Sequence, residues 1–378
     1  MTTTTKLDRF MQDVRPATPY LVVDLDIVEA NYRALAEALP DARIYYAVKA
    51  NPAPEVLHRL AALGSSFDVA SVPEVELALA TGVNPSSLSF GNTIKKERDI
   101  ARAFELGVRL FAFDSEAELL KIARAAPGAK VFCRILTSGE GAEWPLSKKF
   151  GCTPDMAFEL MKMAATLPVV PHGISFHVGS QQRDPGQWDA AVASAALLFR
   201  RLEEKAGIEL KMVNLGGGFP ALYREAVPAA AAYGAAIWDS LRRHFGNRIP
   251  AVIAEPGRGL VGDAGVIEAE VVLIAEKGDA AGRRWIYLDV GKFGGLAETM
   301  DEAIRYPIET DRDGTASPVI LAGPTCDSAD VLYEKNAYLM PDSLAIGDRV
   351  RIKSTGAYTT SYSAVNFNGF EPLRAYFV

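Results

Sequence analysis

The chain has 378 residues, with 40 Lys and Arg against 47 Asp and Glu, for a formal charge of −7. Hydrophobic residues make up 49% and charged residues 23%, the balance of a soluble globular protein long enough for more than one core. No basic run marks a nucleic-acid surface, no apolar stretch reaches the roughly 18 residues of a membrane helix, and the threonine-rich start, residues 1–10, has no apolar signal core. The expectation is a cytoplasmic protein with neither membrane nor nucleic acid as partner. Cys133, Cys152 and Cys326 are odd in number and widely spaced, so they form neither a disulfide framework nor a zinc pattern. His58, His172, His177 and His244 leave few candidates for a metal site, and none is expected.

The first predicted elements are a short strand over 20–24 and a helix over 25–39. Eight apolar, β-rich runs follow: 44–48, 67–69, 88–90, 110–113, 131–136, 173–176, 212–215 and 251–254. Alanine- and leucine-rich helical patterns separate them, as at 54–63, 94–106, 154–165 and 188–205. Strand alternating with helix eight times over about 230 residues predicts a (β/α)8 TIM-type barrel more readily than a doubly wound open sheet. After residue 262 the pattern turns to strands at 266–275, 284–289, 318–322 and 349–353, separated by Gly, Pro and Asp. The expected organisation is an N-terminal segment, 1–24, that joins the β domain, a barrel over 25–262, and a C-terminal all-β domain over 263–378.

Polar or special residues follow the predicted barrel strands: Lys49, Ala70-Ser71, Gly91-Asn92, Asp114, His177, Gly216-Gly217-Gly218 and Glu255. Each alone could terminate a strand, but together they would meet at the C-terminal mouth, where barrel active sites lie. Lys49 ends an apolar run, which suits a desolvated Schiff-base lysine or, equally, a side chain that snorkels to water. The three glycines could close backbone N–H groups around an anion, with Gly257 and Arg258 of the next loop completing the cup. Two phosphate-type loops together with a lysine favour pyridoxal 5′-phosphate (PLP) over a bare phosphate ester.

Seven ordered motifs then resemble one family: YAVKAN (46–51), SFDVAS (66–71), SFHVGSQ (175–181), NLGGGFP (214–220), AEPGR (254–258), GPTCDSAD (323–330) and GAYTTSYSAVNFNGF (356–370). The chain is similar to the fold-type III PLP-dependent decarboxylases of the alanine-racemase-like barrel type, in the ornithine decarboxylase branch. The resemblance implies that Lys49 carries the cofactor and that Glu255 faces the pyridine nitrogen, where racemases of this fold have arginine. It implies that His177 stacks on the ring and that Asp68 and Arg134 support it. Ser180, Gly218, Gly257, Arg258 and Tyr358 would hold the phosphate. Cys326 would be the catalytic proton donor and Asp327 the acid for the distal amine of the substrate. A second acid would be Asp301 by one alignment and Glu302 by another, and Phe367 would line the pocket. Active sites shared across a homodimer are implied, with Lys149 and Asp330 as an interface pair.

The expected reaction is decarboxylation of L-ornithine to putrescine. Lysine, lysine/ornithine or arginine decarboxylation are the alternatives within the class. Diaminopimelate fits less well, because two acids and no added arginine repel a distal carboxylate. A non-catalytic regulator would have lost residues such as Lys49, Glu255, Arg258 and Cys326, all of which are present.

Overall fold

The structure, a computed structural model, describes residues 5–137, 141–144, 149–278 and 282–378. The chain divides into two compact units: Glu29–Pro220 with Val227–Gly259, and Met1–Val28 with Ala221–Ala226 and Leu260–Val378.

In the first unit, eight parallel strands close into a barrel: Ala42–Ala47, Ser66–Val69, Leu88–Phe90, Leu110–Phe113, Lys130–Arg134, Val170–Ser175, Met212–Asn214 and Ala251–Ala254. Each pairs with its neighbour in chain order, and the eighth pairs with the first to complete the ring. All eight predicted runs are barrel strands. Tyr45, Leu110, Ala112, Phe132, Met212 and Ile253 form a buried cluster contributed by five of these strands. A barrel filled in this way is a packed core, so chemistry is left to the loops at its mouth. The helices between strands start where the sequence supplies caps. Ser71 and Thr153 accept from the backbones of Glu74 and Met156, with proline in the first helical turn of each.

The second unit is a mixed sheet in the order Ile308–Thr310, Arg349–Lys353, Gly265–Glu276, Arg284–Leu288, Ala316–Ala322, Val331–Pro341. Tyr20–Val23 pairs antiparallel with Gly265–Glu276 and parallel with the final strand, Arg374–Phe377. The strand Val331–Pro341 has no counterpart among the predicted strands, because Glu334-Lys335-Asn336 interrupts its apolar pattern. A short helix, Lys6–Asp13, also goes unpredicted. It is set by a capping box in which the Thr5 hydroxyl accepts from Asp8 N–H at 3.1 Å and the Asp8 carboxylate accepts from Thr5 N–H at 3.0 Å. Among the described residues, no helix is long and apolar enough to cross a membrane.

Candidate active site

The barrel mouth carries most of the candidate residues. Lys49 lies in a 3-10 turn, Val48–Ala50, directly after the first strand, and its flanking residues are buried while it is itself exposed. The sequence leaves two readings open for Lys49, desolvated or reaching to water, and in this single chain the side chain is exposed. Asp68, on the second strand, is buried, and its Oδ1 has no hydrogen-bond partner among the described residues. Burial pushes its carboxyl well above the usual range, reinforced by the Glu255 charge and opposed by Lys49 and Arg134. Gly91 is needed beside it, since a Cβ there would collide with the Asp68 carboxylate. Glu255, just past the eighth strand, is also raised by burial; its hydrogen bond from Asn214 and the Lys49 and Arg134 charges act the other way. His177 accepts from Gly179 N–H through Nδ1 at 3.0 Å. Burial, then the charges of Arg134 and Lys49, holds its pKa well below the usual value, so the ring is neutral. Arg134 ends the fifth strand, with its guanidinium 5.1 Å from the centre of the Phe150 ring.

The glycine loop follows the seventh strand. Gly216 and Gly218 have φ of 65° and 105°, a region costly for other residues. A side chain at Gly217 would lie 2.7 Å from the Glu255 carbonyl oxygen and 3.2 Å from His177 Nε2. The loop therefore approaches the histidine as closely as it does only because it is glycine. Trp188 supports the loop by donating to Leu215 O at 3.3 Å and packing on Phe219 and Tyr233. Arg258 is buried and donates from Nε to Ser180 Oγ at 3.2 Å, which brings together two of the expected phosphate ligands. Ser180 stands on a short strand, Ser180–Gln182, paired with Ala142–Trp144, which the sequence analysis did not predict. Gly257 is buried at the start of the Arg258 loop.

The remaining candidates belong to the β unit. Cys326 and Asp327 are exposed. Cys326 N–H donates to Asn368 Oδ1 at 3.0 Å, and Phe367 packs against Phe293 with centroids 4.7 Å apart and the rings tilted by 46°. The FNGF segment and the GPTCD loop therefore adjoin within one chain, tied by an asparagine not singled out from sequence. Asp330 is buried and accepts from Lys292 N–H (2.8 Å), Thr325 N–H (3.1 Å) and the Thr325 hydroxyl (2.8 Å). It organises its own loop, so its carboxylate is already engaged apart from any pairing with Lys149, whose ammonium lies 5.1 Å from the Phe150 ring centre. Tyr358 is half-buried in the left-handed conformation, φ 54°.

The two alternative substrate acids differ sharply. Asp301 is exposed, with a carboxylate oxygen 3.7 Å from Lys335 Nζ. Glu302 is buried and accepts from the N–H groups of Glu334 (2.7 Å), Lys335 (2.6 Å) and Asn336 (2.9 Å) and from Asn336 Nδ2 (2.7 Å). Its carboxylate is engaged by the interruption in the strand Val331–Pro341, whereas Asp301 is the exposed acid of the two. Although burial alone would raise it, these hydrogen bonds leave its pKa lowered. Its stabilisation is therefore present above the ordinary glutamate range and is lost as pH falls through the lowered value. Glu302→Gln is expected to cost about 1–3 kcal/mol by stranding backbone donors, read as a lower urea midpoint at neutral pH, and the gap to wild type should shrink in acid.

Cys133 and Cys152, widely spaced in the sequence, are in contact. Both are buried free thiols with sulfurs 3.6 Å apart.

An anion-binding glycine loop beside an amine at a strand end, with a carboxylate on the neighbouring loop, fits a cofactor that has a phosphate, an aldehyde and a basic ring nitrogen. The orphaned Asp68 oxygen adds a polar contact for such a group, and the lack of a side chain at Gly217 leaves the space beside His177 Nε2 and the Glu255 carbonyl unfilled. Fold and mouth together define the class of PLP-dependent barrel enzymes. Comparison with known proteins agrees. Residues 25–262 match the family model for the pyridoxal-dependent decarboxylases, pyridoxal binding domain. The chain is 38% identical to the lysine/ornithine decarboxylase of Selenomonas ruminantium, over 94% of this chain and 88% of that one. It superposes with a TM-score of 0.87 on the lysine/ornithine decarboxylase of Vibrio vulnificus complexed with putrescine, at 33% identity over 98% and 97% of the two chains. The arginine decarboxylase of Paramecium bursaria Chlorella virus, bound to agmatine, gives a TM-score of 0.89 at 28% identity over the full length of both. The chain belongs to the pyridoxal-dependent decarboxylases of fold type III. It is a PLP-dependent carboxy-lyase acting on a basic amino acid.

Proposed function

We propose that the protein decarboxylates L-ornithine to putrescine, using sites shared between two subunits. The observation that carries this reading is the pair of exposed acids on the β unit, Asp327 and Asp301, in the same unit as the exposed Cys326 thiol. A distal ammonium is costly to desolvate without an acidic partner, and these carboxylates supply one. Exposed functional groups of this kind need a facing surface to make a water-excluding site, and a second copy of the chain is the partner proposed.

Bound PLP supplies an electron sink for the bonding pair released as CO2 leaves. Lys49 attaches the cofactor. Glu255 holds a proton on the ring nitrogen, and neutral His177 offers a flat face without adding charge. The glycine loop, Ser180, Gly257, Arg258 and Tyr358 bind the phosphate, and Asp68 and Arg134 order the polar groups around Lys49. Cys326 delivers a proton to the substrate α-carbon. Asp327 and Asp301 receive the distal ammonium, with Phe367 packing along the aliphatic stem.

A CO2-release assay with ornithine, lysine, arginine and diaminopimelate tests the substrate, with the highest kcat/KM expected for ornithine. A second reading, dual lysine/ornithine activity, is favoured by the name of the Selenomonas relative. Comparable efficiencies on both substrates would establish it, because one methylene changes discrimination by only about 1–3 kcal/mol. Preference for arginine or diaminopimelate would overturn the proposal. Each charge-assisted hydrogen bond contributes about 1.5–3 kcal/mol, so Asp327→Ala should lower kcat/KM for ornithine roughly 10- to 100-fold with normal cofactor content. Unchanged kinetics would mean that the distal ammonium binds elsewhere.

A further inference from the structure

The end of the seventh barrel strand holds a fully buried asparagine that the roles above do not use. Asn214 is 0% exposed. Its Nδ2 donates to Glu255 Oε1 at 2.5 Å, and its Oδ1 accepts from Gly216 N–H at 2.9 Å. The backbone repeats the link, with Glu255 N–H donating to Gly216 O at 2.8 Å and Leu215 N–H to Ile253 O at 2.8 Å. One amide thus touches both the carboxylate assigned to the ring nitrogen and the first glycine of the phosphate loop.

Only a side chain with both a donor and an acceptor at this reach meets both neighbours. An aspartate could still accept from Gly216 but would set a second acid against Glu255. An apolar residue would leave the Gly216 N–H and one Glu255 oxygen without their present partner. The bond from Nδ2 occupies Oε1 and so restrains the orientation of the carboxylate.

We infer that Asn214 is a positioning residue that fixes Glu255 and the Gly216–Gly218 loop relative to each other, so that the nitrogen and the phosphate of PLP are held by one rigid unit. This rests on the reading of Glu255 as the partner of the ring nitrogen. The charges that act on Glu255 are Lys49, in the turn after the first strand, and Arg134, at the end of the fifth; Asp68, on the second strand, feels Glu255, Lys49, Glu74 and Arg134, and His177, after the sixth strand, is neutral. A new acid at position 214 would join an already coupled set.

The test uses holoenzyme of wild type, Asn214→Ala, Asn214→Asp and Glu255→Gln. PLP release is followed by loss of the bound cofactor's visible absorbance, and kcat and KM are measured across pH. Asn214→Ala is expected to release PLP about 10- to 100-fold faster, corresponding to one or two charge-assisted contacts, and to lower kcat with little change in KM. Asn214→Asp keeps the size of the side chain and its bond from Gly216. In acid, a proton shared by the two carboxyls restores the donor, so release should be near wild type. As pH rises and that proton leaves, release should accelerate, a dependence that wild type lacks. Should Asn214→Ala fail to fold, this pH dependence still decides the matter. Wild-type release and pH profile in Asn214→Asp, with Glu255→Gln impaired, would overturn the inference alone. Wild-type behaviour in Glu255→Gln would overturn the Glu255 assignment and the inference with it.

Discussion

Lys49→Ala is expected to reduce decarboxylation by at least about three orders of magnitude, because it removes the amine assigned to bind the cofactor covalently and release it to substrate. Borohydride reduction of the wild-type holoenzyme should fix a pyridoxyl group on the peptide containing Lys49, and the variant should yield none. Since Lys49 is exposed in its turn, the substitution removes little packing, and a normal thermal transition should accompany the loss. Label on another lysine would remove the basis of the mechanism. The same variant tests the shared site. Lys49 belongs to the barrel unit and Cys326 to the β unit, so a dimer that pairs them across subunits can be complemented. Equal amounts of Lys49→Ala and Cys326→Ala, exchanged to equilibrium, should recover about one quarter of wild-type activity, since half the dimers are mixed and each has one intact site of two. No recovery after demonstrated exchange would assign both residues to sites within single chains.

The barrel was legible because each strand is short, apolar and followed by a helix with its own start signal, so local pattern and global fold agree. The glycine loop was legible for a different reason. Three consecutive glycines are costly in chain entropy unless backbone must approach closely, and at Gly217 the close neighbours are the Glu255 carbonyl and then His177. Contacts between residues distant in sequence were not legible. Asn214 meets Glu255 across 41 positions and Glu302 meets Glu334 across 32, and nothing local in either sequence reports the partner. Glu302 also explains the missed strand Val331–Pro341. Its carboxylate supplies acceptors where Glu334-Lys335-Asn336 leaves the apolar alternation, so a segment that reads as a break is held in the sheet by a side chain from elsewhere. Cys133 and Cys152, separated by a loop, meet because residues 135 and 152 form an isolated parallel bridge.

Cys326→Ala is expected to separate two events that wild type keeps together. Loss of CO2 requires an electron sink, which does not depend on the thiol. Reprotonation of the α-carbon does require a donor on the correct face, and the exposed Cys326 is the thiol in the β unit available for it. Its loop is held by two independent devices, Asp330 at the base and the Asn368 side chain on the Cys326 N–H, so the sulfur is presented by backbone that its removal does not disturb. General acid catalysis by a placed group contributes about 10²- to 10⁴-fold, so diamine formation should fall by about that factor while CO2 release falls less. Without that donor, solvent or Lys49 would supply the proton at the wrong atom, and the expected by-product would be an aminoaldehyde, with water consumed and the cofactor left in its amine form. The ratio of CO2 to diamine should rise above one, activity should decay during turnover, and added PLP should partly restore it. Cys326→Ser keeps the shape but donates less readily, and should fall between the two. If Cys326→Ala keeps one diamine per CO2 and stays active, the thiol is a spectator and another group delivers the proton.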